Sequence, residues 1–328
     1  MRMAKLAAGA AIALALAACG GGGSGSSPPS TGGGGGGTPT PTPTPTASYQ
    51  TFAQLTGNQA FNAACAGIYN QQLGVPSAGY ARYPNPPQAL AIDFTSASSE
   101  WRVIGRSPDG GEFNNTFGPA DVISTSLANT TAYRKVDANG FPTRFQITQP
   151  TLGSTLAEYA RVVRTLARPG TGITDWACAI GVPTLLTDRP GAAVTYTDFA
   201  AIGTVFSQAY GGTGQYDISE STATLTANPV NGQIRVTVTL VGRAFLAGGG
   251  LSDTRTQFGQ FGGDAGIDGS VQSFGAPLNR LPDNSVGGDF SGWFFGPQGR
   301  EAAFAFQYTG PDANQNNMVF SGVISARR

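Results

Sequence analysis

Three cysteines, nineteen carboxylates and no histidine define the chemistry open to this 328-residue chain. Without imidazole it lacks the usual general base near neutral pH and the commonest transition-metal ligand, so Ser-His-Asp and Cys-His nucleophiles are excluded. A carboxylate pair can still run glycoside chemistry, but the five glutamates (Glu100, Glu112, Glu158, Glu220 and Glu301) and fourteen aspartates form no telling constellation. Asp264 and Asp268, in Gly263-Asp264-Ala265-Gly266-Ile267-Asp268-Gly269, raise calcium, yet their spacing misses the EF-hand loop and a solvated turn is the better account. Haem ligation would fall to tyrosine or methionine; the ten tyrosines leave it open without supporting it. No catalytic residue, metal ligand or cofactor is expected, and the chain reads as a non-enzyme.

The cysteines carry chemistry of a different kind. Arg2 and Lys5 precede an apolar run from Leu6 to Ala18, and Leu16-Ala17-Ala18 leads into Cys19, the order of n-region, h-region and cleavage site in a secretory signal. The run is shorter than the about 20 residues a membrane-spanning helix needs. A signal that ends on cysteine resembles the lipobox of diacylated envelope proteins, which implies loss of residues 1–18 and lipid attachment at Cys19. The alternative is an ordinary signal peptide with a cysteine near the cut. Gly20 supplies no aspartate-type retention cue, so likeness to sorted lipoproteins points to the bacterial outer membrane.

Residues 20–46 are only glycine, serine, threonine and proline. Such a segment has no apolar side chains to offset its ordering entropy, so 19–47 reads as a lipidated cysteine and disordered tether. Its Thr-Pro alternation, Thr38 to Thr46, favours polyproline II, a spacer of roughly 28 Å at about 3.1 Å per residue. That tract as a partner ligand is the weaker alternative, because no basic residues interleave it.

Cys65 and Cys178 remain. In an oxidising compartment they are a candidate disulfide pair, for which the chain-entropy model gives about 4 to 5 kcal/mol. Both lie among apolar neighbours, so inert buried thiols are the alternative. Removing Arg2 and Lys5 with the signal leaves 17 basic against 19 acidic residues, without the basic excess of a nucleic-acid binder. Low charge, 12% of the chain, and abundant glycine suit short strands with tight turns.

The remaining about 280 residues have room for two domains of ordinary size. Asn58–Tyr69 places Phe61, Ala64, Cys65 and Ile68 at helical spacing behind a Thr56/Gln59 capping box, predicting one short helix. Strands are expected at 89–94, 101–106, 131–136, 142–148, 157–166 and 176–180, punctuated by Asp109-Gly110, Asn139-Gly140 and Pro169-Gly170. From Ala192 eight more follow, at 193–202, 215–226, 233–243, 254–261, 269–276, 288–295, 301–309 and 318–326, with Ile234, Val236, Val238 and Leu240 alternating with Arg235, Thr237 and Thr239. Eight such strands close an up-and-down barrel that is filled by side chains or holds one small ligand. A membrane barrel would need an outward apolar band with aromatic girdles, and a lipid anchor would be redundant, so the barrel reads as soluble.

Asp289-Phe290-Ser291-Gly292-Trp293-Phe294-Phe295-Gly296-Pro297-Gln298-Gly299-Arg300-Glu301 resembles the barrel signature of transferrin-binding protein B-like surface lipoproteins, G-x-F-x-G-x-F-[FY]-G-P-x-A-x-E. Gly181-Val182-Pro183-Thr184, Asp188, Pro190-Gly191 and Val194-Thr195-Tyr196-Thr197 resemble that family's passage from its N-terminal β region into the first barrel strand. Gly299 stands where alanine is usual, and Ala302-Ala303 where two glycines often follow the glutamate. The resemblance implies a mainly β chain: a handle-like N-terminal antiparallel β domain at 48–187, then a C-terminal eight-stranded soluble barrel at 188–328. The signature residues themselves, Phe290, Gly292, Phe294, Phe295, Gly296, Pro297 and Glu301, read as structural: Pro297 ends one strand, Glu301 begins the next, and the phenylalanines pack.

The function implied by the resemblance is a non-enzymatic binding module displayed at the cell surface for capture of a nutrient: an iron source, haem or another solute. Its partners would be the membrane through the lipid anchor, an iron-bearing protein or haem-type ligand, and an integral outer-membrane transporter, with recognition on loops. Family members that capture transferrin carry two handle-plus-barrel lobes; this chain has room for one. The rival reading is a structural or adhesive envelope lipoprotein without a small-molecule ligand.

Overall fold

Buried and exposed side chains alternate along Glu100–Arg106 and Gln233–Phe245 of the computed structural model, whereas Ile173–Gly181, Glu301–Pro311 and Asn317–Arg327 are buried along most of their length. The structure describes residues 48–70, 78–82, 90–107, 111–137, 140–168, 172–207, 214–269 and 273–328. The signal, Cys19, the tether, Ala89, Asp109-Gly110, Asn139 and Pro169-Gly170 lie outside those residues. In chain order the first strands are β1 (Gln59–Phe61), β2 (Ala64–Asn70), β3 (Ala78–Arg82), β4 (Ala91–Thr95), β5 (Glu100–Arg106), β6 (Glu112–Phe117), β7 (Val122–Ile123), β8 (Thr130–Val136) and β9 (Pro142–Thr148). The short β10 (Thr151–Leu152) and β11 (Thr155–Leu156) pair with each other, and β12 (Ala160–Ala167) and β13 (Ile173–Gly181) follow.

Two antiparallel sheets result, ordered β1-β4-β5-β6 and β3-β2-β13-β12-β9-β8-β7. They lie face to face over a core in which Ile92, Trp101, Val103, Phe113 and Phe117 of the smaller sheet meet Phe145, Val163, Trp176 and Cys178 of the larger. Phe117 stacks on Phe145 with ring centroids 5.4 Å apart.

The helix expected over Asn58–Tyr69 is not formed: those residues supply β1 and β2. Helical structure among the described residues is confined to the single turns Phe52–Gln54, Pro119–Asp121 and Pro297–Gly299. The physical reason is that β2 is buried on both faces. Cys65 turns to the sandwich core, while Ala64 and Ala66 turn to the barrel. A doubly buried strand reads as a continuous apolar run, and a short apolar run has no period that tells strand from helix. The Thr56/Gln59 pair makes a loop bond instead of a cap, Gln59 Nε2 donating to the Thr56 carbonyl at 2.7 Å.

The second half contains β14 (Val194–Tyr196), β15 (Asp198–Ser207), β16 (Gly214–Asp217), β17 (Thr222–Asn228), β18 (Gln233–Phe245), β19 (Leu251–Ile267), β20 (Ser273–Leu281), β21 (Ser285–Phe295), β22 (Glu301–Pro311) and β23 (Asn317–Arg327). Pairing runs β18-β16-β15-β23-β22-β21-β20-β19 and returns from β19 to β18, closing a ring of eight antiparallel strands. β17 continues the line of β16 along β18, past a turn in which Ser221 N donates to the Ile218 carbonyl. Ile234, Val236, Val238 and Leu240 are buried inside, with Arg235 on the outer face. Along β18, apolar inside and polar outside is the reverse of a membrane barrel strand.

The larger sheet covers one side of this barrel. Ala64, Ala66, Ala160, Ala177 and Ala179 pack on Trp293, Phe295, Ala303, Ala305 and Val323. So many alanines let the two backbones approach closely, with two large barrel aromatics filling what remains.

Candidate functional site

The sequence motifs converge on a joint between sheet and barrel. β21 ends at Phe295, the chain turns through Pro297–Gly299, and β22 starts at Glu301. Glu301 is fully buried, and its carboxylate accepts hydrogen bonds from the backbone N–H groups of Glu158, Tyr159 and Ala160 at 2.7, 3.0 and 2.9 Å. Arg327, at the end of the neighbouring β23, reaches the same carboxylate at 3.4 Å and donates to the Leu156 carbonyl at 2.7 Å and to the Thr155 hydroxyl. Arg300 and Glu158 close the outer side as an ion pair at 3.0 Å. Arg161 donates to the carbonyls of Ala157 and Ala160 and lies over the Phe52 ring; burial pulls its guanidinium down to about 10 against the opposing pull of Glu301.

The second motif, from Gly181 to Tyr196, folds onto the first. Gly296 N donates to the Val182 carbonyl, and Thr184 N to the Phe294 carbonyl, both at 2.9 Å. The Thr184 hydroxyl bonds the Gly296 carbonyl at 2.8 Å, and Asp188 accepts from Gln298 N at 3.0 Å. The Tyr196 hydroxyl, which burial pushes upward in pKa, donates to the Gly299 carbonyl at 2.5 Å. Gly296 and Gly299 have φ of +70° and +63°. That left-handed backbone disfavours a side chain, and a Cβ on Gly296 would also strike the Tyr159 ring. Glycine at 299 in place of the usual alanine therefore suits this turn. Tyr196→Phe should remove one bond and leave the Gly299 carbonyl unpaired, a loss of about 1 kcal/mol readable as a lower urea midpoint.

Among the remaining signature residues, Phe290 and Phe294 point into the barrel and Phe295 to the sheet. Gly292 lies between them on the inner face, where a Cβ would come 2.5 Å from the Phe274 ring. Phe295, Gly296, Pro297 and Glu301 thus lie at a joint between sheet and barrel. Cys65 and Cys178 are directly opposed on β2 and β13 and joined as a disulfide, their Cα atoms 4.1 Å apart.

The barrel interior is packed with aromatic side chains. Phe258, Phe261, Phe274, Phe290, Phe304 and Phe306 are all fully buried there, with Phe261 edge-on to Phe320 at 5.0 Å. No group of three or more His, Cys, Asp or Glu among the described residues is placed to hold a metal ion. At the barrel end away from the joint, Arg280 donates to the carbonyls of Pro311 and Asp312 at 3.2 and 2.7 Å and pairs with Asp283, whose carboxyl it pulls down to about 2. Asp312, itself buried, accepts from the N–H groups of Asn314 and Asn316 at 2.8 Å, and Ala313 N donates to the Phe258 carbonyl at 2.9 Å.

Above this tied rim the β18–β19 hairpin carries Phe245 and Leu246, 45% and 51% exposed, and the start of β21 carries Val286, 68% exposed. Phe245 and Leu246 are adjacent at one hairpin and Val286 belongs to another, and large exposed apolar side chains can serve partner contact. The sequence did not single out these three, nor Arg327, Arg161 or Arg280. Phe245-Leu246 ahead of Gly248-Gly249-Gly250 was the available signal, an apolar pair at a turn where polar residues are usual.

No model of a known protein family matches the chain, and no curated protein matches it in sequence. Among solved structures it is similar to isotype 1 transferrin-binding protein B from serogroup B Neisseria meningitidis, 11% identical with a TM-score of 0.39 over 81% of this chain and 44% of that one. It is similar also to the vaccine antigen transferrin-binding protein B of Haemophilus parasuis, 14% identical, TM-score 0.36, over 74% of this chain and 54% of that one. A third is the haemoglobin receptor HpuA from Kingella denitrificans, 16% identical, TM-score 0.34, over 81% of this chain and 87% of that one. The chain spans about half the length of the two transferrin-binding structures.

Proposed function

We propose that this chain is a non-enzymatic binding module of the bacterial outer membrane, held by lipid at Cys19 and displayed outside the cell. Residues 48–187 and 188–328 act as handle-like domain and barrel. Its cargo is an iron source, either an iron-bearing or haem-bearing protein or haem itself, passed to an integral outer-membrane transporter. The observation that carries this reading is the filled barrel beneath a tied rim with exposed apolar tips. A solid scaffold of that kind leaves its loops for recognition. The lipobox-like Leu16-Ala17-Ala18-Cys19 supports the anchor, and the signature from Asp289 to Glu301 supports the family.

The test combines location with capture. Protease shaving of intact cells should remove the wild-type signal, with Cys19→Ala as the unanchored control and a periplasmic protein reporting membrane integrity. Immobilised haemoglobin, transferrin and haemin should include one probe that the full chain binds saturably. Phe245→Asp with Leu246→Asp should weaken that binding at least about tenfold without moving the unfolding midpoint. Protection in intact cells, or no saturable capture of any probe, sinks the proposal in favour of an envelope scaffold.

A further inference from the structure

Among the described residues of the barrel, every large apolar side chain left exposed lies at one of its two ends. Phe245, Leu246 and Val286 mark the rim away from the joint, and Val230, 78% exposed, tips the β17–β18 turn. That turn is at the joint end, because β18, β19, β20 and β21 pair antiparallel in succession, so β18 begins where β21 finishes. Leu185 and Leu186, both exposed, stand at the same end on the segment that crosses the joint. Bonds tie the two places together: Asp188 accepts from Gln298 N, Arg189 donates to the Gly269 carbonyl at 2.6 Å, and Ile267 N donates to the Gly232 carbonyl at 2.8 Å. Leu156, exposed on β11, is held there as well, its carbonyl accepting from Arg327.

The chain enters at this end too. The Tyr49 hydroxyl accepts from Leu185 N at 2.9 Å, its ring packs edge-on to Tyr159 at 6.3 Å, and Phe52 N donates to the Glu158 carbonyl at 2.9 Å. The segment that leads back to Cys19 therefore departs beside the exposed leucines, and the rim tips are at the far end. Charge does not single out a partner here. Arg300 is paired with Glu158, and Arg189 and Arg328 stand against Asp188 and Asp268, so an acidic or a basic surface meets a balanced one.

Single exposed apolar residues are ordinary; four aliphatic side chains on three segments, at the end where the tether enters, call for an apolar occupant that the tether itself brings close. We propose that the joint end of the barrel rests on the lipid bilayer, with Leu156, Leu185, Leu186 and Val230 entering the boundary between headgroups and acyl chains and the rim turned away from it. Interfacial binding grows with the apolar area buried, and loop tips of this size hold weakly on their own. Lipid at Cys19 keeps bilayer at high local concentration, so weak contacts are enough to set the orientation. In this the inference rests on the anchored reading above, and it adds which face of the protein the membrane sees.

The experiment is tryptophan quenching on the full chain in vesicles of phosphatidylethanolamine and phosphatidylglycerol, with and without bromine on the acyl chains. Trp101, Trp176 and Trp293 are buried and give a constant background. The added emission of Leu186→Trp and of Val230→Trp should each fall about twofold in the brominated vesicles, as expected of side chains at the acyl boundary. Val286→Trp, at the opposite rim, should not change. All three positions are exposed, and unchanged thermal midpoints verify folding. Replacing phosphatidylglycerol with phosphatidylcholine should leave the quenching as it was. No quenching at positions 186 and 230, equal quenching at 286, or quenching that is lost with the anionic lipid overturns the proposal. Vesicle flotation of Cys19→Ala reads the anchor separately: a chain that floats as wild type does removes the lipid at Cys19, while quenching at 186 and 230 still reports the face.

Discussion

Glu301→Ala lowers the thermal midpoint by about 10 °C, from a loss of about 3 to 5 kcal/mol spread over a domain of this size. Alanine leaves three backbone N–H groups, those of Glu158, Tyr159 and Ala160, without an acceptor in a place that water does not reach. Each orphaned donor carries its own desolvation penalty. Arg327 loses its carboxylate as well, although its bonds to Thr155 and Leu156 persist. Glu301→Gln is not a mild substitute, because its amide turns two donors toward a cluster of donors. It should recover only part of the loss. Differential scanning calorimetry of the two variants and of Arg327→Ala gives the ranking: alanine at 301 worst, glutamine next, alanine at 327 mildest. Equal midpoints for Glu301→Ala and wild type would remove the joint from the account of this fold.

The double change Cys65→Ala with Cys178→Ala lowers unfolding free energy by about 2 to 5 kcal/mol. The bond spans a sequence separation of 113, so in the chain-entropy model it removes much freedom from the unfolded chain. Both side chains are buried in the sandwich core, and alanine leaves only small voids there. The loss should therefore appear as a lower urea midpoint in the double variant. Reductant added to wild type should give the same shift, and added to the variant none. Non-reducing peptide mapping that finds both thiols free, or superimposable curves with and without reductant, rejects the bond.

Alternation made β18 legible, while β22 and β23, buried along most of their length, read only as apolar runs. Gln233–Phe245 lines up one apolar face against a polar one, and the eight expected segments each fall on a strand or on a pair of collinear strands. Glu112–Phe117 escaped notice because Asn114 and Asn115 interrupt its apolar positions. The Asn58–Tyr69 segment misled because a strand covered on both faces has no period to read. The role of Glu301 was hidden for a different reason. Its partners are peptide N–H groups, which every residue but proline offers, so nothing in Glu158-Tyr159-Ala160 marks them. The rim tips Phe245 and Leu246 were visible as residues, but their exposure depends on where the hairpin ends above its neighbours.

The closed, aromatic-filled barrel has a consequence for how such a chain can diverge. Residues inside it are answerable to one another: Phe290, Phe304 and Phe306 must keep a shared volume, and the joint must keep Glu301. Exposed side chains at the hairpin tips, such as Phe245, Leu246 and Val286, carry no such shared volume. A lineage built on this scaffold is free to replace those tips piece by piece while inheriting the interior intact, so descendants can part company at the surface long before they differ in how they are made.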